Sequence, residues 1–190
     1  MRRAVPGSAC SVLILVLASP RVLGAEDPVR PPYSFDVGLV GGLEPSHGNL
    51  PDGTAALYGG DLRFRLRVVS LGVRLEKTAG FSSTTVDGFT RLLGTVGFNI
   101  GLGDQVLLSP YLGLGASKID RVPPPPGGSN PLPSDETDLR FGLEVEYFLA
   151  RYVSVGGGFA LDFRSYSTDG VQGALSLSGL LRLSAHLPFG

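Results

Sequence analysis

The feature that most constrains this chain is a period of two running from Tyr33 almost to the last residue. In the final stretch, Val171 to Phe189, the odd positions read Val, Gly, Leu, Leu, Gly, Leu, Leu, Ala, Leu, Phe. The even positions from Ser176 read Ser, Ser, Leu, Arg, Ser, His, Pro. Alternation of this kind belongs to a strand whose two faces meet different surroundings. Seven earlier segments repeat it: Tyr33–Leu43, Tyr58–Arg67, Leu71–Glu76, Arg91–Leu102, Val106–Ser117, Asp138–Tyr147 and Val153–Arg164. Most run to about ten residues or more, the length a tilted strand needs to cross hydrocarbon. The connections alternate. Residues 44–54, 77–87, 118–137 and 165–170 are rich in Gly, Pro, Ser and Asp, and four consecutive prolines stiffen the longest. The links near Val68–Ser70, Gly103–Gln105 and Phe148–Arg151 are short. Short turns at one end and long loops at the other predict a closed, eight-stranded, antiparallel up-and-down transmembrane β-barrel, with the last strand closing on the first.

Alternation alone does not say which face points outward; the residues on the polar face decide. Asp36, Asp61, Arg63, Arg65, Arg74, Glu76, Arg91, Arg140, Glu144, Glu146, Asp162 and Arg182 share one side with many glycines, Gly38, Gly72, Gly97 and Gly142 among them. A solvated surface has no use for glycines that weaken strands. A narrow interior does, because long arginines crossing it need empty space opposite. These twelve charged residues are therefore expected to form an ion-pair network filling the lumen. The other face is Leu, Val and Phe without charge along the strand bodies, as lipid contact requires. The alternative, a secreted soluble lipocalin-like barrel that binds a ligand inside, would place the apolar face inward.

The first 24 residues read as a cleaved signal peptide. Arg2 and Arg3 precede an apolar run from Ala9 to Ala18, which is too short to span a membrane. Residues 25–32 are a short proline-broken lead, and 33–190 form the barrel domain. Removing residues 1–24 removes Arg2, Arg3 and Arg21, so sixteen cations against seventeen anions become thirteen against seventeen, a net of −4. Near-balanced charge argues against a nucleic-acid partner. Cys10 is the only cysteine, so neither a disulfide framework nor a cysteine metal cluster is expected.

Ser109–Ala116 (SPYLGLGA), Gly142–Tyr147 (GLEVEY), Val153–Gly158 (VSVGGG) and the terminal strand resemble the small outer-membrane β-barrel family, the OmpA-type transmembrane domain and OmpX-like proteins of Gram-negative envelopes. The resemblance covers about residues 33–190. It implies an outer-membrane location and a C-terminal signal read by the barrel-assembly machinery, matched here by Leu183, Ala185, Leu187 and Phe189. Pro188 and Gly190 depart from that signal.

No catalytic, cofactor or metal site is expected. His186 lies on the polar face beside Ser184 and Arg182 and reads as an interior histidine rather than part of a serine hydrolase. His47, near Glu44 and Asp52, reads as a loop histidine, and Asp120, Asp135, Glu136 and Asp138 as loop acids rather than a calcium site. The expected role is structural or interactive within the envelope, not enzymatic. The partners would be outer-membrane lipids, the assembly machinery and surface ligands met by loops 44–55 and 118–137. A narrow solute pore and a lipid-modifying enzyme are the competing readings.

Overall fold

A computed structural model describes residues 30–45, 54–80, 86–121, 135–166 and 174–189. The predicted signal peptide lies outside them. Nine strands follow in order: β1 (Tyr33–Pro45), β2 (Thr54–Leu66), β3 (Val69–Ala79), β4 (Val86–Phe98), β5 (Ile100–Gly101), β6 (Val106–Arg121), β7 (Asp135–Ala150), β8 (Val153–Tyr166) and β9 (Ala174–Pro188). The two-residue β5 continues β4 past a break at Asn99, so the wall has eight staves. Each pairs antiparallel with its neighbour, β4 also pairs with β6, and β9 pairs with β1 from Leu43↔Gly179 to Ser34↔Pro188. The barrel is closed, which leaves no unpaired sheet edge.

The register fixes the stagger. From Gly41 one row of partners runs through Tyr58, Lys77 and Thr90 to Lys118 on β6. In the other direction it runs through Leu181, Gly157 and Val145 to Leu108 on β6. The two circuits meet that strand ten residues apart, from position 108 to position 118. Such a displacement tilts the strands and keeps the interior narrow enough for side chains to fill.

The strands reach further than the turn chemistry predicts. β1 continues through Glu44 and Pro45, β2 begins at Thr54, β6 runs to Arg121 and β7 starts at Asp135. Polar residues there remain in the ladder because the neighbouring strand continues beside them, as in Glu44↔Ala55 and Lys118↔Asp135. The first tight turn is Arg67–Val68 rather than Val68–Ser70, with Arg67 at φ 44°. Pro110 faces outward within β6, where it lacks the amide a paired strand needs. The β4–β6 ladder stops at Gly97↔Tyr111, so the break after Phe98 falls beside Pro110.

The faces are inverted relative to a water-soluble barrel. Leu39 and Phe159 are about two-thirds exposed, at 66% and 65%, whereas Arg91 and Arg140 are fully enclosed, at 0%. More than thirty large apolar side chains lie on the outside. Soluble monomers seldom carry a contiguous apolar patch beyond a few hundred Å². Aromatic rings cluster at the short-turn end, where Phe189 stacks on Phe64 at 5.0 Å and meets Tyr33 at 6.1 Å.

Interior space is set by missing side chains. A Cβ at Gly38 would lie 2.2 Å from Asp61 Oδ1 and 2.8 Å from Arg182 Nε. A Cβ at Gly142 would lie 2.1 Å from the Tyr111 ring. Gly142→Val should therefore push Tyr111 off Arg74 and destabilise the barrel by about 1–3 kcal/mol, the usual cost of overpacking. Urea unfolding in detergent micelles checks this, and an unchanged midpoint would show that the ring has room to move.

Candidate functional site: the charged lumen

Inward positions place eight carboxylates in the lumen: Asp36, Glu44, Asp61, Glu76, Asp138, Glu144, Glu146 and Asp162. Seven arginines face them: Arg63, Arg65, Arg74, Arg91, Arg140, Arg164 and Arg182. All are buried, and they pair across the bore in three tiers.

At the short-turn end, Arg65 of β2 sends Nη2 to Glu146 Oε2 at 2.7 Å and to Asp36 Oδ2 at 2.8 Å, with its guanidinium over the Phe148 ring. In the middle, Asp61 accepts from Arg182 Nη2 and Arg74 Nη2, each at 2.9 Å, and from Arg63 Nη2 at 3.3 Å. Glu144 on the far wall accepts from Arg63 at 2.8 Å and Arg74 at 2.5 Å. Arg74 also donates to the Tyr111 hydroxyl at 3.0 Å, and Arg182 reaches down to Glu146 at 3.0 Å. Toward the loop end, Arg140 joins Glu76 at 2.7 Å and Asp162 at 2.6 Å. There Glu44 accepts from both Arg91 and Arg164, and Arg164 lies over the Phe89 ring. Between the middle and upper tiers, Val40, Leu57, Ala160 and Leu180 form an apolar cluster on β1, β2, β8 and β9.

All twelve charged residues named from the sequence lie in this bore. Glu44, Asp138 and Arg164 belong with them and are absent from that group. Glu44 sits in the segment predicted as loop, yet the even positions Asp36, Gly38, Val40, Gly42 and Glu44 continue one face, and that parity was the signal available. Asp138 is not a loop acid: it faces inward and accepts from Ser117 at 2.8 Å. His47 and Asp52 lie outside the described residues. Among the described residues no group of three or more His, Cys, Asp or Glu is arranged to hold a metal ion.

Histidine, serine and carboxylate do converge, with Ser154 rather than Ser184. His186 Nδ1 lies 2.8 Å from Asp36 Oδ1 and Nε2 lies 2.7 Å from Ser154 Oγ. The surroundings of the serine differ from those of a nucleophile beside its base. A carboxylate paired with arginine only accepts, so Nδ1 donates to Asp36. Ser154 Oγ also donates to Glu146 Oε1 at 2.5 Å, so its hydroxyl is shared with a second carboxylate. A serine committed to a carboxylate and without exposed surface is not presented to a substrate. Phe148 packs on its ring at 4.8 Å between centroids, and Ser154 is fully buried. The cluster ties β1, β7, β8 and β9 together at the short-turn end.

No protein-family model matches the chain, and no curated protein matches its sequence. Its fold is similar to solved barrels. Neisserial surface protein A superposes with a TM-score of 0.57 at 14% identity, covering 83% of this chain and 97% of that one. The N-terminal β-barrel domain of Pseudomonas aeruginosa OprF gives 0.56 at 13% identity, covering 82% and 99%. Ail, the attachment invasion locus protein of Yersinia pestis, in complex with the heparin analogue sucrose octasulfate, gives 0.52 at 14% identity, covering 81% and 96%. At such identities the likeness establishes the fold, that of the small eight-stranded outer-membrane barrels resembling OmpA and OmpX.

Removing one partner of a buried pair strands the other, at a cost of about 3–5 kcal/mol. Arg140→Met should therefore lower unfolding stability by about that amount, since Glu76 and Asp162 both lose a donor. Equilibrium unfolding in lipid vesicles measures it. A loss below about 1 kcal/mol would mean that the pairs only offset their own desolvation and do not hold the walls together.

Proposed function

We propose that the protein is an outer-membrane barrel with a structural or interactive role in the cell envelope, serving as a rigid non-conducting stave that presents its long loops outside the cell. The observation that carries this reading is the bore itself. Ion pairs cross it in three tiers, and an apolar cluster occupies part of the section between two of them. Eight strands leave little more room than these side chains use. The pore reading is weakened by that filling, and the enzyme reading by the full burial of Ser154 and its hydrogen bond to Glu146.

In this account residues 1–24 direct export, residues 25–32 lie on the periplasmic side and residues 33–190 are the inserted domain. Leu183, Ala185, Leu187 and Phe189 form the sequence read by the assembly machinery. All four side chains point outward in the finished barrel, available to a partner before the strand is sealed against β1. Lipid is the principal partner of the wall. The only two lysines of the chain, Lys77 and Lys118, stand on either side of Thr90 in one outward row with Tyr58. Lysine stems of this kind cover apolar surface while the ammonium reaches the headgroups. Loops 44–55 and 118–137 are the elements assigned to surface ligands. Ail is solved with a sulfated sugar analogue, which makes polyanionic surface sugars a reasonable first panel to screen.

Two experiments test this reading. Purified protein in planar bilayers should give no stepwise conductance, and reproducible single-channel steps would replace the structural role with that of a pore. Phe189→Ala should reduce insertion into the outer membrane several-fold while export to the periplasm stays normal. Full insertion of that variant would remove the assembly role of the C-terminal residue.

A further inference from the structure

The three residues before β1 do not trail away from the barrel. β1 and β6 are four staves apart in either direction around the ring, and so lie across from one another. At the short-turn end, residues 30–32 run from the start of β1 toward β6. The Pro32 carbonyl accepts from Arg67 N at 2.7 Å, in the β2–β3 turn. Arg30 N donates to the Asp104 carbonyl at 3.3 Å, in the turn before β6, and Arg30 Nη1 donates to the Val106 carbonyl at 3.2 Å. Three residues span at most about 10–11 Å, and the arginine side chain supplies further reach. Pro31, between the two anchor points, is buried.

A second observation comes from the opposite wall. A Cβ at Gly101 would lie 2.3 Å from Arg30 Nη1 and 2.8 Å from its Cζ, so β5 offers bare backbone where the guanidinium rests. The segment is stiffened by Pro31 and Pro32, which fix φ and restrict the residue before each. It is also held against an opposing force. Partial burial, then the Arg65 charge, draws the Arg30 guanidinium below its ordinary value, against the favourable charge of Asp104. A few hydrogen bonds thus hold one arginine near another.

We propose that Arg30–Pro32 is a strap that closes the short-turn mouth of the lumen, and that lifting it admits water and small solutes to the layer of Arg65, Asn99 and Ser109. Those three are buried, and Arg65 Nε and Nη1, the Asn99 amide and Ser109 Oγ have no protein hydrogen-bond partner, so entering water would solvate them directly. The strap acts on access from one side only. The ion pairs further along the bore remain in place when it lifts.

The test uses Ser109→Cys as reporter in full-length protein carrying Cys10→Ser, so that the reporter is the only thiol. Ser109 gives up no side-chain hydrogen bond on replacement. Folding of each variant is verified by heat-modifiable gel migration, and labelling by a charged, water-soluble maleimide is timed. With the strap intact, labelling should be slow. It should accelerate at least tenfold in Gly101→Ala, which dislodges the guanidinium without altering the strap, and in Arg30→Ala/Pro31→Gly. A Ser178→Cys reporter toward the other end should keep its rate in the same backgrounds. The proposal is overturned by any of three results: unchanged Ser109→Cys labelling in both strap variants, labelling with the strap intact as fast as that of an exposed Val68→Cys turn, or equal acceleration at position 178, which would show general loosening of the barrel.

Discussion

The structure depends on arginine–carboxylate pairs that cross an enclosed bore. Charges removed from water cost several kcal/mol each unless paired and hydrogen-bonded. The outward face cannot help, because between the short turns and the Lys77–Lys118 row it carries no charge. Every charge on the inward face must therefore find its partner on another stave, and this demand orders the whole wall. Arg63 and Arg74 tie β2 and β3 to Glu144 on β7, Arg182 ties β9 to Asp61 on β2, and Arg91 and Arg164 tie β4 and β8 to Glu44 on β1. A register slip by one residue would turn these side chains into lipid and the leucines into the bore. The network thus selects one register out of many that backbone hydrogen bonding alone would accept.

Space and charge are coupled in this arrangement. Arg182 and Asp61 meet over Gly38, and the Tyr111 ring lies against Gly142 so that its hydroxyl accepts from Arg74. The glycines do not create flexibility in the wall; they hold volume for long side chains anchored elsewhere. The apolar cluster of Val40, Leu57, Ala160 and Leu180 fills the part of the section that ion pairs leave. Packing and electrostatics together leave the interior occupied rather than open.

Much of this was legible in the sequence because period-two alternation reports the face of each residue without any knowledge of partners. Parity alone puts Asp61, Arg74, Glu144 and Arg182 on one side, and the alternation of short and long connections gives strand number and direction. Strand ends were less legible. Glu44 looks like the first residue of a turn-rich run, and only the continuing ladder with β2 makes it the acceptor for Arg91 and Arg164. Partner choice was not legible at all: which arginine meets which acid depends on a ten-residue stagger around eight strands, and no local pattern carries that number. The same is true of Ser154, which joins His186 only because β8 and β9 pair in one register. The strap at Arg30 reads in sequence as a proline-broken lead, since its anchor points at Asp104 and Val106 lie more than seventy residues away.

The central claim is that the apolar face meets lipid while the charged face is enclosed. Single spin labels scanned along Leu71–Glu76 of β3 in lipid vesicles test it most directly, by comparing relaxation by oxygen, which partitions into hydrocarbon, with relaxation by a water-soluble nickel chelate. The account predicts high oxygen accessibility at Leu71, Val73 and Leu75, with low accessibility to both reagents at Gly72, Arg74 and Glu76 where the label is tolerated. High nickel accessibility at Leu71, Val73 and Leu75, in a protein that stays dissolved without detergent, would contradict it.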